Sequence, residues 1–160
     1  MYLTNLYKMK NAIIMLLLFL SLTAVMAQEA NRTYDAELAK SLGADEYGMK
    51  EYVFCILKKG SNTTASKEER TKLFEGHMAN INKLADEGKL VVAGPFMEND
   101  RNYSGIFIFN VTTVDEAQKL VESDPAVKAK IFEVELTPWY SSAALQQIAK
   151  MHDQIAKTKF

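Results

Sequence analysis

The chain has 160 residues, 48% of them hydrophobic, with 19 basic and 20 acidic side chains and a net charge of −1. That length suits one globular domain with short additions. A near-neutral balance with no Lys/Arg cluster on any predicted face leaves no electrostatic footprint for nucleic acid, so no such partner is expected.

The N-terminus reads as a processing signal. Lys8 and Lys10 precede an apolar run from Ala12 to Leu20, and small residues follow from Ser21 to Ala27. Val25 and Ala27 occupy the −3 and −1 positions of a cleavage site before Gln28. Met9 offers a more compact start to the same signal. The expectation is a signal peptide over residues 1–27 and an exported protein, periplasmic or secreted. The apolar run falls short of the about 20 residues a membrane span needs, so no stable span is expected after cleavage. Cleavage removes two lysines and no acid, taking the net charge from −1 to −3.

Residues 28–50 form a polar leader with one short amphipathic piece carrying Tyr34, Leu38 and Leu42, punctuated by Gly43 and Gly48. Glu51 to Lys59 is the first expected strand. Tyr52, Phe54 and Ile56 point one way and Val53, Cys55 and Leu57 the other, so both faces are apolar and both are expected to be buried. Cys55 is the only cysteine, which excludes an intrachain disulfide. In the run VFCIL nothing cationic adjoins it, so it reads as a buried, inert thiol.

After a loop at residues 60–64, Ser66 with Glu69 three residues later makes a capping box that opens a helix ending at Gly88. Leu73, Phe74, His77, Met78, Ile81 and Leu84 recur at three- and four-residue steps, and at roughly 100° per residue they fill an arc of about 140°. His77 lies inside that apolar arc, an unusual place for an imidazole. Leu90 to Ala93 follows as the second strand, closed by Gly94-Pro95, and residues 97–103 form a polar hairpin connection. Gly105 to Val111 is a third strand, again apolar on both faces, with Ile106 and Ile108 opposite Phe107 and Phe109. Thr113 and Glu116 form a second capping box. Asp124-Pro125 ends that helix and starts a turn, with Asp124 as cap and Pro125 at the first position.

Phe132, Val134 and Leu136 alternate with Glu133 and Glu135, the pattern of a strand with one wet face that Pro138-Trp139 is expected to end. Residues 141–160 carry a C-terminal amphipathic helix with Leu145, Ile148, Met151 and Ile155. Four Asn-x-Ser/Thr sequons occur, at Asn31, Asn62, Asn102 and Asn110, and Asn110 closes a strand, which makes it a poor acceptor. No glycine-rich phosphate loop or paired metal-ligand spacing is present, so neither a cofactor nor a metal is expected.

The order is β-α-β-β-α-β, the α+β, ferredoxin-like arrangement with an antiparallel sheet. Strands one and three should be central and strand four at an edge. Two helices cover one face of such a sheet. The other apolar face needs a partner, and a second copy of the chain is the simplest one.

The ordered set Gly76-His77-Met78-Ala79-Asn80, Gly88 to Phe96, Gly105 to Phe109, Ser123 to Ala129, Phe132 to Leu136 and Pro138-Trp139 resembles the YCII-related (YciI-like) family of the dimeric α+β barrel superfamily. The resemblance covers about residues 51–140. It implies a homodimer and an active site built on one histidine and one aspartate, matching His77 and Asp124. The family includes a dehydrochlorinase of a chlorinated hydroxyquinol, while most members have no assigned reaction. The export signal, the leader and the C-terminal helix depart from the family pattern.

Two readings of the pair stand side by side. Alone, His77 is a core histidine whose nitrogens find backbone or water, and Asp124 is a helix cap. Together, the carboxylate fixes the imidazole's tautomer and leaves the other nitrogen as a general base or acid, which suits a cofactor-free lyase or isomerase of a small cyclic molecule. A non-catalytic dimer binding a small ligand in the same pocket is the alternative. Phe96 and Trp139 are candidates for an aromatic wall against such a ligand, with ordinary core packing as the competing reading.

Overall fold

The structure is a computed structural model that describes residues 34–158. The expected signal peptide and the first part of the leader lie outside the described residues. The chain divides into two compact units, residues 1–37 and 38–160. No helix among the described residues is long and apolar enough to cross a membrane.

The leader ends in a short helix, α1 (Ala36–Ser41), with no buried residue. Gly43 and Gly48 take positive φ of 64° and 73°, which lets the chain turn twice before the sheet begins. The first strand, β1, runs Met49–Lys59 and so starts two residues earlier than the alternation suggested. Next come α2 (Lys67–Asp86), β2 (Leu90–Pro95), β3 (Tyr103–Phe109), α3 (Val114–Val121), a single turn α4 (Pro125–Lys128) and β4 (Phe132–Ser142).

Both capping boxes form their expected first bond. Ser66 Oγ accepts from the Glu69 amide at 3.1 Å, and Thr113 Oγ1 accepts from the Glu116 amide at 3.2 Å. Gly88, at φ 67°, stops α2 in the left-handed conformation.

The four strands pair antiparallel in the order β2-β3-β1-β4. The two strands that are apolar on both faces are therefore central, and the half-wet strand is at an edge. On one face Val53, Cys55, Leu57, Phe107 and Phe109 meet Leu84 of α2, Ala117 and Val121 of α3 and Ala126 of α4 in the main core. On the other face Tyr52, Val91 and Ile108 form a smaller cluster with Phe54, Val92 and Leu145.

Two boundaries differ from the sequence reading. β4 does not end at Pro138-Trp139 but continues to Ser142. As an edge strand it tolerates a residue without an amide hydrogen, so Pro138 can sit opposite Val53 without breaking the ladder. The single expected helix over residues 141–157 is instead strand, then a 3-10 turn (Ala143–Gln147), then α5 (Ile148–Ile155). That turn lies over one end of the second sheet face. Gln146 Nε2 donates to Leu42 O at 2.7 Å, Asn110 Nδ2 to Gln146 Oε1 at 3.3 Å, and Lys50 Nζ to Asn110 Oδ1 at 2.7 Å. Part of the face that was expected to need a second copy is thus covered by the chain itself.

Candidate functional site

His77 sits midway along α2 on the face that meets the sheet, and only 8% of it is exposed. Its Nδ1 lies 2.6 Å from Asp124 Oδ2 within the same chain. Asp124 is completely buried, and its other oxygen, Oδ1, accepts from the Ala126 amide at 2.8 Å. One carboxylate therefore does two things at once. It caps α4 with one oxygen and meets the imidazole with the other.

The close approach of α4 to α2 depends on Gly76. A Cβ there would stand 2.9 Å from Pro125 Cγ, so only glycine lets the proline ring rest on the helix. Pro125 follows Asp124 directly, and Ser123 Oγ donates to Asn80 Oδ1 at 2.9 Å on its other side. These two contacts clamp the Asp124 turn against the middle of α2.

A carboxylate can only accept, so Nδ1 carries the proton that it donates to Asp124, and the lone pair of the neutral ring is on Nε2. Nε2 has no hydrogen-bond partner among the described residues. No buried side-chain nitrogen or oxygen there lacks a partner, so Nε2 is not sealed in and touches solvent. A buried hydrogen bond to a carboxylate on one side and a basic nitrogen without a protein partner on the other is an arrangement that proton transfer can use.

Three phenyl rings frame the imidazole. Phe107 stacks at 5.8 Å between centroids and 29°, Phe132 lies tilted at 5.2 Å, and Phe74 stands edge-on at 6.1 Å. The sequence reading named two other aromatics, and the structure sets both apart from His77. Trp139 pairs across the sheet with Tyr52 and packs edge-on against Phe54 at 5.6 Å, which places it on the opposite sheet face. Strand alternation decides this, since Val53, Cys55 and Leu57 face the helices and Tyr52 does not. Phe96 packs on Tyr103 at 5.7 Å in the β2–β3 hairpin and is 44% exposed. Within one chain neither forms a wall beside the imidazole. The signals for the true frame were present in the pattern: Phe74 precedes His77 by one helical turn, and Phe107 sits on the opposite side of β3 from Ile106 and Ile108.

Cys55 lies beneath the pair, completely buried. Burial, and second to it the negative charge of Asp124, push its thiol from 9.0 up to about 12. It is a packing residue and no nucleophile. Among the described residues, no group of three or more His, Cys, Asp and Glu side chains is placed to hold a metal.

Beyond Phe74 and Phe132 opens a hollow of about 310 Å³, with Arg70, Asn62 and Lys59 on its rim. A larger groove follows α2 past Thr71, Glu75 and Met78, and it shares Arg70 and Phe74 with the hollow.

The chain is 35% identical over 75 residues to Protein YciI of Escherichia coli O6:H1, covering 42% of this chain and 76% of that protein. The YciI protein of Shigella flexneri gives the same figures. Among solved structures, a 5-chloro-2-hydroxyhydroquinone dehydrochlorinase from Burkholderia phenoliruptrix, in complex with 2,5-dihydroxybenzoquinone, matches with a TM-score of 0.40 at 26% identity. That match covers 54% of this chain and 92% of the other. The model of the YCII-related domain matches residues 52–140, the span that holds the whole sheet except its outermost residues, together with His77 and Asp124. With more than half of its length matched and a relative covered over three quarters of its own, the chain belongs to the YCII-related domain family.

Proposed function

We propose that the protein is an exported, cofactor-free lyase or isomerase that moves a proton on a small cyclic molecule, with His77 Nε2 as the base and then the acid. The single observation that supports this most is the 2.6 Å bond between Nδ1 and Asp124, which orients the ring and leaves Nε2 open. Asp124 acts by positioning the imidazole and by stabilising its charged form once the proton has arrived. The three phenyl rings keep water scarce around the ring, where an electrostatic interaction is stronger than in bulk solvent. The protein works as a homodimer through the open part of the second sheet face, where Phe54, Ile56 and Ile106 are only partly covered and Trp139 is 36% exposed. Export rests on Lys8, Lys10 and the apolar run that follows them.

The test is deuterium exchange. Enolisable cyclic ketones and hydroxyquinols are incubated with the protein in heavy water and followed by proton NMR. Wild type should accelerate loss of the acidic C–H signal, and His77→Gln should not. Binding of the same compounds with no exchange in either protein would identify a ligand-binding dimer instead. That reading draws on the small opening at His77, which admits a hydrogen bond as readily as a reaction.

A further inference from the structure

We infer that the hollow beside Phe74 and Phe132 is an anion subsite, and that the ligand of this protein is a single ring carrying a carboxylate or an ionised phenol. The inference deepens the proton-transfer reading and rests on it for the identity of the reacting end, since the same two phenyl rings line the hollow and frame His77.

Arg70 carries the argument. It is half-buried on the first turns of α2, where its Nε donates to Ala65 O at 3.3 Å and its Nη2 to Asn62 O at 3.0 Å. Both partners are neutral carbonyls, and Arg70 forms no ion pair among the described residues. The guanidinium is therefore held in place with its charge uncompensated and with N–H groups left to donate. Lys59, at the end of β1, brings a second cation with no ion pair to the same rim, and no acidic side chain lines the hollow. A half-buried arginine that the protein anchors without neutralising is arranged for an anion from outside.

The cradle is built before any ligand arrives. Gly60 approaches so closely that a Cβ there would stand 2.2 Å from Lys130 O. The Gly60 amide donates to Ile131 O at 2.8 Å and the Asn62 amide to Lys130 O at 2.9 Å. Asn62 Nδ2 reaches Ala129 O at 2.9 Å, while its Oδ1 accepts from the Ala65 amide at 3.1 Å. A loop stitched in this way spends little ordering entropy on binding. Phe74 and Phe132 meet edge-to-face at 5.7 Å and 89°, an apolar corner for the flat body of a ring. The volume of about 310 Å³ sits at the small end of ligand pockets, which suits one ring and excludes a fused system.

The experiment compares benzoate, benzamide and acetate by titration calorimetry and by amide chemical shifts of the wild-type protein. Benzoate should bind more tightly than both others, with shifts centred on Arg70, Asn62 and Phe132, and its affinity should fall as salt is added while that of benzamide does not. Arg70→Gln should weaken benzoate by about tenfold or more, the worth of a charge-assisted pair, and leave benzamide unchanged. Arg70→Lys, which keeps the charge and loses the fork, should fall between the two, and the salt dependence of wild type needs no variant to fold. Equal affinity for benzoate and benzamide, shifts elsewhere, or an unaffected Arg70→Gln protein would overturn the inference. Benzoate binding in a protein that exchanges no C–H hydrogen would sink the chemistry and keep the anion subsite. Exchange on neutral ketones with no preference for benzoate would do the reverse.

Discussion

At the scale of single residues, the site turns on which atom carries a proton. Asn at position 124 caps a helix about as well as Asp, so Asp124→Asn should leave the fold in place. Its amide can then present a donor to Nδ1, moving the ring proton to Nε2 and removing the base. The expected outcome is a loss of exchange activity by a factor on the order of 10² or more, with a stability change below about 2 kcal/mol. Ring 15N shifts of His77 report the tautomer directly, and an unchanged pattern in the variant would sink the pairing as a functional device. Cys55 makes a second prediction. Its thiol is held near 12 in the folded chain against 9.0 when free, so the unfolded state loses its proton first. The stabilisation is complete below pH 9 and drains away as pH rises towards 12, at up to about 1.4 kcal/mol per pH unit. Alkaline unfolding of Cys55→Ala should be less steep than that of wild type over this window, and native Cys55 should resist iodoacetamide at pH 8. His77 was legible as an oddity because an imidazole interrupted an apolar helical arc. Its pairing with Asp124 was implied only by the family resemblance, since the distance depends on how closely two helices approach, and no spacing along the chain encodes that.

Helices and strands were the most readable level. The Ser66 and Thr113 caps, the glycine stop at Gly88 and two-sided alternation in β1 and β3 each carry a local physical signal, and each formed as expected. The errors fell where tertiary context overrides a local rule. Pro138 reads as a strand end, yet an edge strand accommodates it. Ser141 and Ser142 fit a helix start but extend β4, because β1 begins early at Met49 and offers Ser142 a partner. Gly76 shows the same tension in reverse. In an isolated helix Gly→Ala gains up to about 1 kcal/mol. Here the new methyl would collide with Pro125, and overpacking of that kind costs about 1–3 kcal/mol. Gly76→Ala should therefore lower stability in urea titration despite its better propensity, and should disturb the His77 ring signals as α4 is pushed away. A more stable variant with an unaltered ring would show that the α2–α4 approach does not set the site.

For the whole molecule, the two sheet faces differ in what completes them. The helices close one face. The 3-10 turn closes one end of the other, leaving Phe54 and Trp139 on the open part. Phe54→Glu should convert the proposed dimer to a folded monomer by light scattering at micromolar concentration, and wild-type protein that is already monomeric would count against the dimer. A two-layer fold was legible from alternation, whereas the share of the second face that the chain covers itself was not, because Leu145 and Gln146 look like any amphipathic helix. The ladder between β1 and β4 has a kinetic consequence. It joins the two ends of the domain, and side chains bond along it from Lys58 to Glu135 across 77 positions and from Tyr52 to Ser142 O across 90. At roughly 5–20 residues per second, the ribosome delivers β4 on the order of 4 to 18 s after β1. Until then the central strand has one long flank unpaired and the sheet cannot close. A chain whose first strand waits for its last keeps that flank open for most of its synthesis.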